Sequence, residues 1–133
     1  MSNRDLSWLM DQLRDETAGV LHVLLLAEDG LRSAKDQTLG VDSADKMAAI
    51  CSGMANLGAG AGDELDGGAL RSVVVDLERK QLVIMAAGRG SVLGVLAEAD
   101  ADLALVATAM VQMIERLADH LGVAPRAAQS PAS

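Results

Sequence analysis

The residues in this chain that could do chemistry are few, and their spacing argues against most of what they could do. His22 falls inside a Val/Leu run and His120 at the end of a helical pattern. Neither has a second His or a Cys close in sequence, so no metal-ligand spacing arises. A histidine near a helix C-terminus is favoured by the helix dipole, which gives His120 an ordinary structural role. Cys51 is the one cysteine, which excludes an internal disulfide and a cysteine-based zinc site. It sits between Ile50 and Met54 in a helical pattern, where a buried, inert thiol is the plain reading. Ser91 follows Gly90 at a turn, without a Gly-x-Ser-x-Gly elbow and without a nearby base. Asp100 and Asp102 look like a carboxylate pair, but they precede a helix, where such side chains cap.

Gly88-Arg89-Gly90, with Gly94 beyond it, is not a dinucleotide fingerprint. The third glycine comes one position late, and a strand follows where a helix is needed. There is no Gly-Lys-Ser/Thr, so no phosphate-binding loop. Arg32, Arg71, Arg79 and Arg89 fall on strands and turns. An arginine supplied in trans accelerates GTP hydrolysis, yet scattered arginines on an acidic protein are ordinarily surface residues. The expectation is a protein with no catalytic residues, no metal and no cofactor: not an enzyme.

The rest of the chain must then supply a scaffold. Its 133 residues suit one domain, and 50% hydrophobic content suffices for a core. Trp8 is the only aromatic, so Leu, Val, Ile, Met and Ala fill the interior and no stacking platform for single-stranded nucleic acid exists. A net charge of −8 speaks against any nucleic-acid partner. The terminal residues read as lacking a secretory leader, a myristoylation glycine and a prenylation box, and the apolar run from Ala18 to Ala27 is too short to span a bilayer. The expected location is the cytoplasm, with no direct membrane insertion and membrane association only through partners.

Leu6, Leu9 and Leu13 at helical spacing predict a first helix capped by Ser2 or Asn3, with Asp5 in its first turn. Val20 to Ala27 reads as a strand covered on both faces, Glu28-Asp29-Gly30 as a hairpin turn, and Leu31 to Asp36 as the return strand. Asp42 or Ser43 caps a second helix to about Ala61, rich in small residues, whose end is weakened by Gly58-Ala59-Gly60-Ala61-Gly62. Leu70 to Leu77, Gln81 to Ala87 and Ser91 to Ala97 are three strands. The first has Val73, Val75 and Leu77 on one face and Ser72, Val74 and Asp76 on the other. Leu103, Val106, Met110, Ile114, Leu117 and Leu121 form the stripe of a third helix, stopped by Gly122 and Pro125. Residues 1–123 are expected to form the domain and 124–133 a disordered tail. The order is α-β-β-α-β-β-β-α: an α+β domain with a five-stranded antiparallel sheet flanked by three helices.

These segments resemble the Roadblock/dynein-light-chain family, a Roadblock/profilin-like α/β (α+β) fold, over about residues 4–124. The carriers are Asp5-Leu6-Ser7-Trp8-Leu9, Ala27-Glu28-Asp29-Gly30-Leu31, Ala48-Ala49-Ile50-Cys51-Ser52-Gly53-Met54, and Ala99-Asp100-Ala101-Asp102-Leu103-Ala104-Leu105-Val106. The chain is most similar to bacterial stand-alone members, the small proteins encoded in actinobacterial conservons beside a sensor-kinase-like membrane protein and a Ras-like GTPase. Many relatives carry aromatics near Ala107 to Met110, where this chain has none. The resemblance implies that the second helix covers one sheet face and the other two helices the opposite face. It also implies a homodimer, with second helices paired antiparallel and third strands meeting edge to edge. Carried over by position, Met47, Ile50, Cys51, Met54 and Leu57, with Arg71, Val73 and Val75, are the candidate dimer or partner contacts. Some of the five helical positions must face the sheet, and sequence alone does not separate them.

The function so implied is non-enzymatic regulation or scaffolding of a small Ras-like GTPase in a bacterial signalling complex. A relative in gliding-motility control activates GTP hydrolysis by orienting the GTPase's own residues. A second reading is a purely structural adaptor tethering a sensor kinase and a GTPase at the membrane. A third, a small-ligand sensor, is disfavoured by the shortage of convergent polar residues.

Overall fold

The computed structural model describes residues 6–27 and 30–121. The elements follow the order α1 (Ser7–Glu16), β1 (Val20–Leu26), β2 (Arg32–Lys35), α2 (Val41–Glu64), β3 (Ser72–Asp76), β4 (Lys80–Ala86), β5 (Val92–Glu98) and α3 (Leu103–Leu121). This is the expected order. The expected caps Ser2 and Asn3, Asp5, the turn residues Glu28 and Asp29, the stop signals Gly122 and Pro125 and the tail 124–133 lie outside the described residues, as does the Leu121 side chain.

One sheet holds all five strands, every neighbour antiparallel, in the order β2-β1-β5-β4-β3. β1 therefore lies beside β5, and β2 and β3 are the two edges. Tight turns make the chain reverse within the sheet, two of them at glycines. Gly30, at φ +86°, closes the β1–β2 connection, where Ala27 N–H donates to the Leu31 carbonyl. Gly88, Arg89 and Gly90 all have positive φ, and Ala87 N–H donates to the Ser91 carbonyl across that turn. Glycine tolerates such angles because it lacks a Cβ.

Apolar side chains on the two sheet faces build two separate cores. On one face α1 and α3 contribute Leu9, Met10, Leu13, Val106, Met110, Met113 and Leu117 against Val23, Leu25, Val83, Leu93 and Val95. On the other, α2 contributes Ala44, Met47, Ala48, Cys51 and Ala55 against Leu24, Leu26, Leu82, Ile84 and Val92. Successive β1 residues thus feed alternate cores, which is why the Val/Leu run carries so little polarity.

Several boundaries differ from expectation, each for a physical reason. α1 has Leu6 at its N-cap, with no side-chain cap. α2 starts at Val41 after Gly40 and runs on to Glu64, three residues beyond the expected end. Its glycines each cost about 1 kcal/mol against Ala in a helix, but two of them admit neighbours. A Cβ on Gly58 would stand 2.7 Å from Leu70 Cδ1, and one on Gly62 would stand 2.1 Å from the Gly68 carbonyl oxygen. The loop after α2 packs into those gaps and closes the helix, with Gly67 N–H donating to the Gly62 carbonyl.

At α3 the cap is Asp102, whose Oδ1 accepts from the N–H groups of Ala104 (3.0 Å) and Leu105 (3.3 Å). Asp100 stays exposed in the turn. The buried stripe is Val106, Met110, Met113, Leu117 and Ala118, while Leu103 is partly exposed. Gln81, at the start of β4, is buried and spans the base of α3: its Nε2 donates to the carbonyls of Glu98, Ala99 and Ala101.

Candidate partner-binding face

α2 packs on the sheet along one side only. Its 24 residues span roughly 36 Å at 1.5 Å per residue. The inward side is sealed. Cys51 is fully buried, and its thiol is pushed up to about 12 by loss of solvation, so it stays protonated and unreactive. Met47 is buried beside it. Met54 is half-buried and packs against the same core. These three belong to the foundation of the helix, and Met47 and Cys51 lie out of reach of any partner.

The outward side is different. Ile50 is 52% and Leu57 74% exposed, two turns apart on one stripe. Gly53 and Gly60 lie on the same side, and a Cβ on either would meet nothing within 4 Å. Covering a Leu or Ile side chain completely is worth about 1.5–3 kcal/mol, and two such side chains flanking a flat glycine surface leave that free energy unrealised in the single chain.

β3 continues this face. Val73 and Val75 are half-buried and turn inward under α2, whereas Val74 is 43% exposed on the opposite side. Any edge contact by Val73 and Val75 is therefore through their backbone. β3 pairs with β4 alone, so its outer row of N–H and carbonyl groups is open. Arg71 is exposed just before the strand. Of the eight candidate residues, Ile50, Leu57 and Arg71 present side chains to solvent, Val73 and Val75 present an edge, and the rest are core.

A buried polar cluster lies at the other end of α2, joined by no sequence motif. The Asp36 side chain is completely enclosed. It accepts from Val23 N–H (2.8 Å), Thr38 N–H (3.0 Å), the Thr38 hydroxyl and Arg14 Nη1 (3.0 Å), with His22 Nδ1 at 3.3 Å. Burial pushes the Asp36 carboxyl up. The hydrogen bonds from Thr38, Val23 and Arg14 and the nearby His22 outweigh it, and the net displacement is below the ordinary value. Thr38 and Asp36 both approach the same imidazole nitrogen, Nδ1, so the three do not form a nucleophile–base–acid relay, which needs both nitrogens. The cluster instead fixes α1, β1 and the segment that enters α2. Its members lie too far apart in sequence to form a motif; the only sequence signal was a lone Asp at the end of a strand.

Among the described residues, no group of three His, Cys, Asp or Glu is placed to hold a metal ion, and no helix is long and apolar enough to cross a membrane. The fold and face define a small α+β domain with a one-sided helix and an open sheet edge.

Comparison with known proteins gives that class its family: the Roadblock/LC7 domain matches residues 6–97. A Roadblock/LC7 domain structure from Streptomyces avermitilis shares 38% identity, covering 90% of this chain and 99% of that one, with a TM-score of 0.85. A second from the same organism shares 30% identity, covering 87% and 99%, with a TM-score of 0.71. MglB of Myxococcus xanthus shares the fold at a TM-score of 0.80, with 17% identity over 92% of this chain and 93% of that one. No curated protein sequence matches. The chain belongs to the Roadblock/LC7 family.

Proposed function

We propose that this protein is a homodimeric, non-enzymatic regulator of a small Ras-like GTPase. Two copies pair through the outer side of α2 and the β3 edge, and the GTPase docks on the platform formed by the paired helices. The supporting observation is the exposure of Ile50 and Leu57 around Gly53 on a helix whose other side is sealed. Regulation here means positioning. A platform that prefers one arrangement of the GTPase's switch loops raises the population of that arrangement, and hydrolysis accelerates if it is the reactive one. The family resemblance to a motility regulator that activates GTP hydrolysis supports this reading. The same dimer would hold a sensor-kinase-like membrane protein near the GTPase, keeping a cytoplasmic chain at the membrane.

The experiment is single-turnover GTP hydrolysis by the cognate Ras-like GTPase with and without this protein, alongside sedimentation of the protein alone. The expected result is a dimer that binds the GTPase and changes turnover, with both properties lost in Ile50→Asp and Leu57→Asp. Binding with unchanged turnover selects the adaptor reading. Absence of both a complex and a rate change retires the proposal.

A further inference from the structure

The side of the molecule opposite α2 carries a groove of about 340 Å³ between α1 and α3. Leu13, Leu105, Ala109 and Met113 line it, and Glu16 and Arg116 stand at its margin. Trp8, Leu105 and Val111 are 52%, 52% and 47% exposed on these same helices. From Leu105 to His120 the exposed track on α3 runs roughly 22 Å, at 1.5 Å per residue.

Acidic residues outnumber basic ones near this groove. Glu16, Glu115 and Asp119 lie on the two helices, and Glu98, Asp100 and Asp102 stand exposed where the chain enters α3. Among the described residues the nearby cations are Arg14, Arg116 and Lys80, the last opposite Glu98 in the β4–β5 register; the two arginines are engaged within the fold. Arg14 bonds Asp15, Asp36 and Thr38, and Arg116 donates to Gln12 Oε1.

We propose that this groove docks a basic amphipathic helix of a partner protein. Apolar residues at helical spacing on that helix fill the space over Leu13, Leu105 and Met113, and its Lys or Arg side chains meet Glu16, Glu115 and Asp119. Charge selects this occupant. A second copy of this chain, at net −8, and an anionic membrane would both be repelled by the same excess of carboxylates. The inference is independent of the role of α2.

Trp8 is the only tryptophan and stands half-exposed on this side, in edge contact with His120 at 5.6 Å. It is therefore a built-in fluorescent reporter for the full chain. The probe is a 14-residue peptide of Leu and Lys in an amphipathic helical pattern, with its Leu/Glu counterpart as control. The Lys peptide is expected to shift Trp8 emission to the blue saturably, and the Glu peptide to leave it unchanged. Leu105→Ser, and separately Glu16→Lys with Glu115→Lys and Asp119→Lys, should weaken binding at least tenfold. A matched set on α2, Asp42→Lys with Asp63→Lys and Glu64→Lys, should weaken it less than threefold, all variants being checked for native circular dichroism. Equal loss in the two charge-reversed sets would show attraction to net charge alone and overturn the proposal. So would the absence of a saturable shift, or one insensitive to Leu105→Ser. A comparable shift on self-association, or on anionic phosphatidylglycerol vesicles, would assign the groove to a second copy or a membrane and equally overturn it.

Discussion

Gly94, in the middle of β5, faces Cys51 across the sheet–helix interface so closely that a Cβ on Gly94 would stand 2.7 Å from the cysteine Sγ. The Met47 methyl lies 3.6 Å from the same point. A glycine inside a strand ordinarily weakens it; here it provides the depth that lets α2 seat against the sheet. Gly94→Ala should destabilise the protein by about 2 kcal/mol, the usual range for overpacking a core. Cys51→Ala on that background should recover a substantial part. Urea unfolding of the two single variants and the double variant measures the coupling, and strict additivity would contradict the contact.

The Cys51 thiol should be silent in the native state. Burial pushes it up to about 12, and the side chain is fully enclosed. A disulfide reagent at pH 8 should fail to label it on a timescale of minutes and should label it fully in denaturant. Rapid native labelling would mean that α2 lifts from the sheet.

Asp36 makes the protein acid-sensitive in a defined sense. A carboxyl held below its ordinary value in the fold stabilises the protein above its unfolded pKa, and that contribution disappears as the pH falls through its folded pKa. The ordinary value is 3.8, so the loss falls below about pH 4. Asp36→Ala should cost about 3 kcal/mol at pH 7, because Arg14 and Val23 N–H lose their buried partner. It should also flatten the decline of stability below pH 4. An undiminished acid decline in this variant would assign it to other carboxylates.

Two glycines of one helix should respond to alanine with opposite signs. At Gly53 the new methyl meets open space, so the folded chain should gain up to about 1 kcal/mol of helix propensity. At Gly62 it meets the Gly68 carbonyl oxygen at 2.1 Å, so Gly62→Ala should cost about 2 kcal/mol and increase amide exchange over residues 62–70. If α2 pairs with a second copy across Gly53, Gly53→Ala should weaken that pairing while raising the stability of each folded chain. Sedimentation equilibrium separates the two effects.

How much of this was legible in the sequence depends on the range of the interactions. Element order, the hairpin at Gly30, the doubly covered β1 and the Val73/Val75 face all follow from patterns within a few residues, and the structure has them. Sequence pattern ends α2 near Ala61, three residues early, because Gly58 and Gly62 register there only as a local helix cost. The compensating contacts come from Leu70 and Gly68, visible only once the loop folds back. Leu103 was placed on the α3 stripe by spacing, whereas the helix turns Met113 and Ala118 inward. Sequence spacing placed Met47, Ile50, Cys51, Met54 and Leu57 on one helix but did not say which met the sheet; burial separates them. The Asp36 cluster was invisible, because Arg14, His22, Asp36 and Thr38 converge only after α1, β1 and β2 have packed.

The strand order has a consequence for growth. A sheet with two open sides is a template for endless addition, and chains bearing one recruit further chains until they precipitate. Here the two sides are unequal. β3 is a five-residue run with two valines turned under the helix, whereas β2 has only four residues and carries Arg32 and Lys35 at its ends. Short charged borders resist strand addition. Joining through the β3 side would use up the receptive border of both copies and leave the resistant one outermost, so that the product is a closed pair with no site for a third chain on its sheet.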